Sequence, residues 1–203
     1  MASQIAHIIY AKKYFDKYPS TINKDEFILG SIFPDMRRID GNIKRKDTHR
    51  HYDPLDLNFD GLTAFEAGWK FHLYCDMRRE EILNKYDFYS LPETENFWHI
   101  SAKILEDEVA YNKYNNWEKL VHYFNNVPFV KTGMNVSQET FSLWYAILAK
   151  YIEKKPDSKA MRIFLSKQPA LAEKADGIVQ SIDTLRKNNK VTDILGKVAE
   201  EIV

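Results

Sequence analysis

Apolar residues recur three and four positions apart along almost the whole chain, and this spacing restricts the fold more than any other feature. The clearest case is segment 62–83, where Leu62, Phe65, Trp69 and Leu73 fall on one helical face. The apolar–polar alternation typical of strands is scarce, and only seven of the 203 residues are glycine. The sequence therefore predicts an all-α fold. With 44% hydrophobic residues we expect one domain, a multi-helix bundle spanning 1–203.

Prolines, glycines and capping residues divide this pattern into separate predicted helices. These cover residues 3–18, 25–32, 62–83, 93–114, 117–125, 137–153, 157–166, 170–188 and 191–203, with Thr63 as the cap of the central helix. Residues 36–60 contain Asp-Gly and Asp-Pro pairs and are predicted to form a long loop, and 128–136 a connector. We expect functional side chains within about 5–110, and structural packing from the helices of 137–203.

The charges and the single cysteine limit the class of protein. The 29 basic and 29 acidic residues balance, so a global basic footprint for nucleic acid is absent. Cys75 alone cannot form an internal disulfide; it favours a reducing compartment and is expected to be buried as a small apolar side chain. No apolar run reaches the ~18–20 residues of a membrane span, and the first residues lack signal-peptide features. We therefore expect a cytoplasmic protein without a transmembrane segment.

His72 and Asp76 lie four residues apart on the apolar face of the central predicted helix, so their side chains are neighbours. A carboxylate on a buried face is costly unless a cation meets it. A divalent metal ion would bind both groups at once. The alternative is a buried hydrogen-bonded pair in which Asp76 also contacts Arg79.

Four further candidate ligands precede this pair. His7 lies on the aromatic, inward face of the first predicted helix, and Asp35 follows Pro34 where the chain leaves the second. His49 and His51 alternate within the long loop, which would place them on one side of an extended segment, and we favour His49. Mixed imidazole and carboxylate ligands suit zinc and similar divalent ions.

Each of these residues also has a simpler interpretation. His7 alone would be a hydrogen-bonded core histidine, and Asp35 a turn aspartate paired with Arg37 or Arg38. One of the two loop histidines could face solvent.

The ordered set resembles the zinc-dependent phospholipase C family, which is related to S1/P1-type nucleases. The resemblance covers roughly residues 5–80 and rests on four short pieces: His7, Gly30-x-x-x-Pro34-Asp35, His49/His51 and Gly68-x-x-x-His72-x-x-x-Asp76. It implies an all-α fold of phospholipase C/P1 nuclease type and a zinc site that hydrolyses phosphodiesters. By the same resemblance, Asp35 would be a ligand that also orients or deprotonates the attacking water, and Asp76 a possible bridge between ions. Gly68 would let another backbone approach the central helix closely.

The chain departs from that family at two places. Secreted members use their processed N-terminal residue as a ligand well upstream of the first histidine, whereas only six residues precede His7. They also carry a second His…His-x-x-x-Glu set. This chain offers only His99, and four residues later, where the glutamate would be, it has Lys103. His99 is interpreted as core packing. The acidic run 106–108, Glu-Asp-Glu, is interpreted as a solvated helix face, with the alternative that it replaces the missing ligands, although no spacing requires this. The reduced ligand set predicts one or two zinc ions.

The sequence thus predicts a metal-dependent phosphoesterase that cleaves a phosphodiester or phosphomonoester by metal-activated water. Its substrate would carry a phosphate ester, as in a phospholipid head group, a nucleotide or a nucleic acid. The basic side chains of 36–60 would attract this substrate, or they belong simply to a solvated basic loop. The alternative is a non-catalytic helical protein of the same fold, with a structural metal or none. An HD-type phosphohydrolase is a third hypothesis, but its adjacent His-Asp pair is missing from the sequence.

Overall fold

The computed structural model describes residues 3–91 and 98–203, with only the backbone of Trp98. Regular secondary structure in these ranges is helical throughout, which confirms the all-α prediction. The helices are α1 (Gln4–Lys17), α2 (Lys24–Ile32), α3 (Arg45–Thr48), α4 (Ala64–Lys85), α5 (Trp98–Ala110), α6 (Trp117–Asn125), α7 (Gln138–Ile152), α8 (Ser158–Ser166), α9 (Pro169–Ala172), α10 (Ala175–Leu185) and α11 (Asn189–Glu201). Within the described ranges, short 3-10 helices span Phe33–Arg38, Phe88–Ser90 and Tyr111–Lys113.

The predicted helix starts are confirmed where a capping residue marks them. The Thr63 hydroxyl accepts from the Glu66 backbone N–H at 3.2 Å, and the Glu66 carboxylate accepts from the Thr63 N–H at 3.0 Å, a reciprocal capping box at the start of α4. Ser137 and Asp157 cap α7 and α8 with one bond each, accepting a backbone N–H three residues on.

Two predicted segments differ from the structure, and one lies partly outside the described residues. The segment predicted as the loop 36–60 includes the end of the first 3-10 helix and all of α3. The helix predicted over 170–188 is two helices, because Pro169 begins the short α9 and a turn at 173–174 precedes α10. Residues 93–97 of the predicted helix 93–114 lie outside the described ranges.

The two helices α2 and α4 cross at unusually close range because each presents a glycine at the contact. A Cβ atom on Gly30 would lie 1.9 Å from the Phe65 carbonyl oxygen, and one on Gly68 would lie 2.0 Å from that of Phe27. The expectation for Gly68 is confirmed. The close approach also brings the end of α2, at Ser31, next to the middle of α4.

The remaining helices surround this crossing and share one hydrophobic core that runs from Ile5 to Ile202. Helix α1 contacts α2, α4 and α5, while α10 and α11 cover α5. Helix α7 closes the other side of α2, where Trp144 donates to the Ile32 carbonyl at 3.3 Å and Tyr145 to that of Leu29 at 2.9 Å. Cys75 is fully buried and unpaired, as expected. Of the helices that the structure describes, none combines the length and apolar character that crossing a bilayer requires.

Candidate metal centre

Four of the six predicted ligands converge on one point. His7 comes from α1, His49 from the residue after α3, and His72 and Asp76 from α4. The Nε2 atom of His7 lies 3.5 Å from Oδ1 of Asp76, and that of His72 lies 3.5 Å from Oδ2. The Nε2 atom of His49 lies 3.8 Å from the same Oδ2. Three elements separated in sequence therefore aim imidazole nitrogens at a single carboxylate.

The three imidazole rings are tightly packed around this carboxylate. The rings of His7 and His72 stack with centroids 3.9 Å apart, and the ring of His49 stands perpendicular to that of His72 at 5.7 Å. His7 and His72 are fully buried, while Asp76 and His49 keep 11% and 8% of their side-chain surface exposed. The cluster thus lies just beneath the surface, with Asp76 and His49 on its outer side.

Hydrogen bonds at the far side of two rings fix their tautomers. The Nδ1 atom of His72 lies 2.8 Å from the Ser31 carbonyl oxygen, which can only accept, so Nδ1 carries the hydrogen. The Thr48 hydroxyl donates to the Arg45 carbonyl at 3.3 Å, so its oxygen accepts from Nδ1 of His49 at 3.0 Å. With Nδ1 as the donor, Nε2 of each ring is the nitrogen directed towards Asp76, the arrangement that outer contacts impose on metal-binding histidines.

The electrostatics favour neutral imidazoles facing an ionised carboxylate. Burial lowers the pKa of His7, and burial together with the stacked His7 lowers that of His72 well below its usual value. Burial opposes the ionisation of Asp76, but His72 and the contacts with His49 and His7 hold the pKa of this carboxyl well below its usual range. The lone pair on Nε2 of His72 then faces a carboxylate oxygen of Asp76, which is unfavourable without a cation between them.

The donor set fits a divalent metal ion. Within the described residues, Nε2 of each of the three histidines is buried and makes no hydrogen bond. Donor atoms of His7, His72 and Asp76 lie within 4.8 Å of one another. Tetrahedral zinc with bonds of ~2.0–2.2 Å places neighbouring ligand atoms about 3.4 Å apart, close to the separations of His7 and His72 from Asp76. Because His7 faces one carboxylate oxygen and the other two histidines face the second, Asp76 could also serve two ions.

Asp35, expected as a ligand and as the catalytic residue, lies outside this set. It is fully buried, but Gln4 donates to its Oδ2 at 2.7 Å, Lys103 to the same oxygen at 3.1 Å, and Arg38 to its Oδ1 at 3.0 Å. Burial alone would raise the pKa of Asp35, but Arg38 and Lys103 outweigh it and hold that pKa well below the usual range. The geometry supports the simpler interpretation, a turn aspartate paired with arginine, since both oxygens are already occupied.

His51 also lies apart from the cluster. It is exposed, and within the described residues no carboxylate lies within 4.0 Å of its ring nitrogens. The expectation that both loop histidines share one side assumed an extended segment, whereas His49 ends a helical turn with φ −106° and ψ 69°. Of the two, His49 is the residue that the structure brings to Asp76.

The segment that carries His49 is fastened to α4 by Trp69. The indole Nε1 of Trp69 donates to the Thr48 carbonyl at 2.5 Å, and the Arg50 guanidinium lies 4.0 Å above the same ring. Arg50 also donates to the Thr132 carbonyl at 3.0 Å. Two flanking contacts therefore hold the residues on either side of His49.

Sequence reasoning missed a buried polar layer on α5. Lys103, Glu106 and Asp107 are almost completely buried, so the solvated face expected at 106–108 is wrong for the first two of those positions. Glu106 accepts from Arg79 at 2.6 Å and from the Tyr10 hydroxyl. Arg79 therefore pairs with Glu106 and not with Asp76, as the alternative interpretation of Asp76 had it. A lysine three residues before Glu106 is the one sequence signal of this face.

Asp107 belongs to this buried layer, whereas His99 at the start of α5 does not. Asp107 accepts from the Ala6 N–H at 2.9 Å and from the Tyr151 hydroxyl at 3.1 Å. Burial raises the pKa of Asp107 to about 7. His99, expected in the core, is exposed.

A cleft of about 370 Å³ opens beside the cluster. Asp76 and His49 form part of its wall, together with Arg45, Arg50 and His51. The outer edge of the cluster therefore borders a space that has two arginines of the 36–60 segment in its wall.

No family model, curated protein or solved structure matches this chain. The resemblance to the zinc-dependent phospholipase C family stays a prediction.

Proposed function

We propose that the chain is a metal-dependent phosphoesterase, with zinc as the metal, that hydrolyses a phosphodiester or phosphomonoester. The observation that supports this most is the convergence of His7, His49 and His72 on Asp76 at the wall of a basic cleft. Nε2 of all three histidines is buried and makes no hydrogen bond within the described residues, and a divalent cation would meet all three.

The proposal uses three of the four converging side chains as ligands and two arginines of the cleft wall for the substrate. His7, His72 and Asp76 hold the ion, and three protein ligands leave a position open for water, as in catalytic zinc sites. When bound, a divalent ion lowers the pKa of a bound water to near 7 and polarises the phosphoryl oxygen. Arg45 and Arg50 in the cleft wall would bind the phosphate and stabilise the charge that develops on it.

A structural metal is the second candidate, and the position of His49 favours it. If His49 binds together with His7, His72 and Asp76, four protein ligands complete a tetrahedral shell with no position for water. The protein would then be a helical module stabilised by the ion, without hydrolytic activity.

Metal analysis and turnover of the purified chain test both candidates. We expect one or two zinc ions per chain, hydrolysis of a chromogenic phosphate diester or monoester, and loss of both in His72→Ala. The control is His122→Ala, since His122 is an exposed histidine on α6. Stoichiometric zinc without turnover of any phosphate ester would favour the structural site. Absence of bound metal after zinc addition would overturn both.

A further inference from the structure

An apolar groove lies between α7 and α8, and it shares none of its lining residues with the metal-centre cleft. Its volume is about 640 Å³, and its apolar walls are Leu143, Ala146, Ile147, Tyr151, Ile163 and Phe164. Leu143 is 55% exposed and Ile163 49%, although both are large aliphatic side chains. Contiguous exposed apolar surface of this kind marks a binding site more often than a scattered single residue does.

Four lysines surround this groove: Lys150, Lys154, Lys159 and Lys167. The acidic residues among the lining side chains are Glu153 and Asp157, so the rim has two more positive than negative charges. Glu153 already binds Lys150 at 2.6 Å, and Asp157 caps α8 by accepting from the Ala160 N–H at 2.7 Å. The groove therefore combines an apolar floor with a positively charged rim.

The charge and shape of the groove select among possible occupants. A second copy of the chain in a two-fold dimer would place this lysine rim against itself, which like charges oppose. A partner helix would need a groove open at both ends, whereas the short connection 153–157 joins α7 to α8 at one end, and the nine residues of α8 extend only about 13 Å. The volume is that of a small-molecule pocket, typically about 300–1,000 Å³.

We propose that this groove binds a single-chain anionic amphiphile, an acyl chain that carries a carboxylate or phosphate head. The chain packs against Leu143, Ile147 and Phe164, and the head meets the lysine rim. Burial of each added methylene strengthens binding by about fourfold until the groove is filled. This site is independent of the proposed metal centre, so His72→Ala leaves it intact.

Calorimetry with the full chain and monomeric twelve-carbon amphiphiles tests the proposal. Dodecanoate and dodecyl phosphate bind at least tenfold more tightly than dodecyl maltoside or dodecyltrimethylammonium, and decanoate binds more weakly than dodecanoate. Leu143→Gln with Ile163→Gln abolishes binding, and the fold survives because both side chains are exposed. Phe129→Gln, at an exposed aromatic residue outside the groove, binds as the parent does.

Charge reversal separates the rim from the general charge of the protein. Lys154→Glu with Lys167→Glu weakens dodecanoate by at least tenfold, whereas the matched pair Lys131→Glu with Lys190→Glu, at exposed lysines elsewhere, leaves it unchanged. Equal affinity for anionic and neutral amphiphiles would overturn the proposal. So would a dimer in solution that Leu143→Gln dissociates, or binding to anionic vesicles without binding to monomeric amphiphile.

Discussion

The lone pair of His72 is directed by a single backbone contact, its Nδ1–H to the Ser31 carbonyl. The Nδ1–H of His49 is held instead by a side chain, the Thr48 hydroxyl. Contacts of this outer kind change metal affinity by roughly 10–100-fold when they are removed, because the ring loses its orientation and its tautomer. The two histidines therefore differ in how easily their support can be tested by mutation.

Thr48→Val removes the hydroxyl that accepts from His49 while it keeps the buried shape of the side chain. A four-ligand site that includes His49 predicts that zinc affinity, measured by competition with a chromophoric chelator, falls by about 10-fold or more, whereas a three-ligand site of His7, His72 and Asp76 predicts no change. Thr48→Ser keeps the hydroxyl and should bind zinc as the parent does. Equal affinity in the valine and serine variants would remove His49 from the metal site.

Asp107 is a specific source of pH dependence in the free energy of unfolding. Its pKa is about 7 in the fold and about 4 in the unfolded chain, so the fold favours the protonated form. This contribution to stability is fully present below about pH 4 and is lost as the pH rises through 7.

Asp107→Asn keeps a carbonyl for the Ala6 N–H and an amide for the Tyr151 hydroxyl, but it cannot ionise. Between pH 5 and pH 8 we expect the free energy of unfolding of the parent to fall relative to that of the variant, by up to about 3 kcal/mol. Urea unfolding at both pH values measures it. A difference between the two proteins that does not vary with pH would contradict this role.

The contrast between Asp76 and Asp35 shows what sequence can predict at this scale. His72 and Asp76 share one helix, so their spacing alone placed them side by side, and their common apolar face indicated burial. Asp35 had an equally good local signal. Its oxygens are occupied by Lys103, 68 residues away, and by Gln4, and no local pattern reveals partners so distant in sequence.

At the scale of elements, the crossing of α2 and α4 depends on two glycines and positions the candidate metal centre. The contact at Gly30 and Gly68 sets the distance between Ser31 and His72. Gly68 could be assigned this role from sequence because it precedes His72 by one turn. The partner helix could not be assigned, because the sequence around Gly68 does not indicate which helix packs against it.

Gly30→Ala and Gly68→Ala would each force a methyl group into backbone atoms about 2 Å away, so the helices must separate. We expect each variant to lose about 3 kcal/mol or more of unfolding free energy, and to bind zinc more weakly because His72 moves away from Ser31. Chemical denaturation and zinc titration measure the two effects.

Gly196→Ala in α11 is the matched control, since a Cβ atom there meets no atom within 4 Å. This variant should be unchanged or up to about 1 kcal/mol more stable, as alanine favours a helix over glycine. Equal loss of stability at all three positions would contradict the close crossing of α2 and α4.

At the scale of the whole molecule, the net charge is zero, but the charged residues are unevenly distributed between the interior and the surface. Arg79 with Glu106, and Arg38 and Lys103 with Asp35, form buried pairs in the interior, whereas the lysines of the α7–α8 groove are exposed. The helical content followed from periodicity. The buried polar layer on α5 did not, because an acidic run on a helix has the same local pattern whether it faces water or an arginine.

The central claim, that His7, His49, His72 and Asp76 form a metal centre, is tested most directly by a crystal of the chain grown with zinc. We expect an anomalous difference peak at the zinc edge within about 2.0–2.2 Å of Nε2 of His7 and His72 and of an Asp76 oxygen. The same data give the ion count and the number of open positions. No peak at the cluster, with the three imidazoles bonded directly to Asp76 or to water, would contradict the claim.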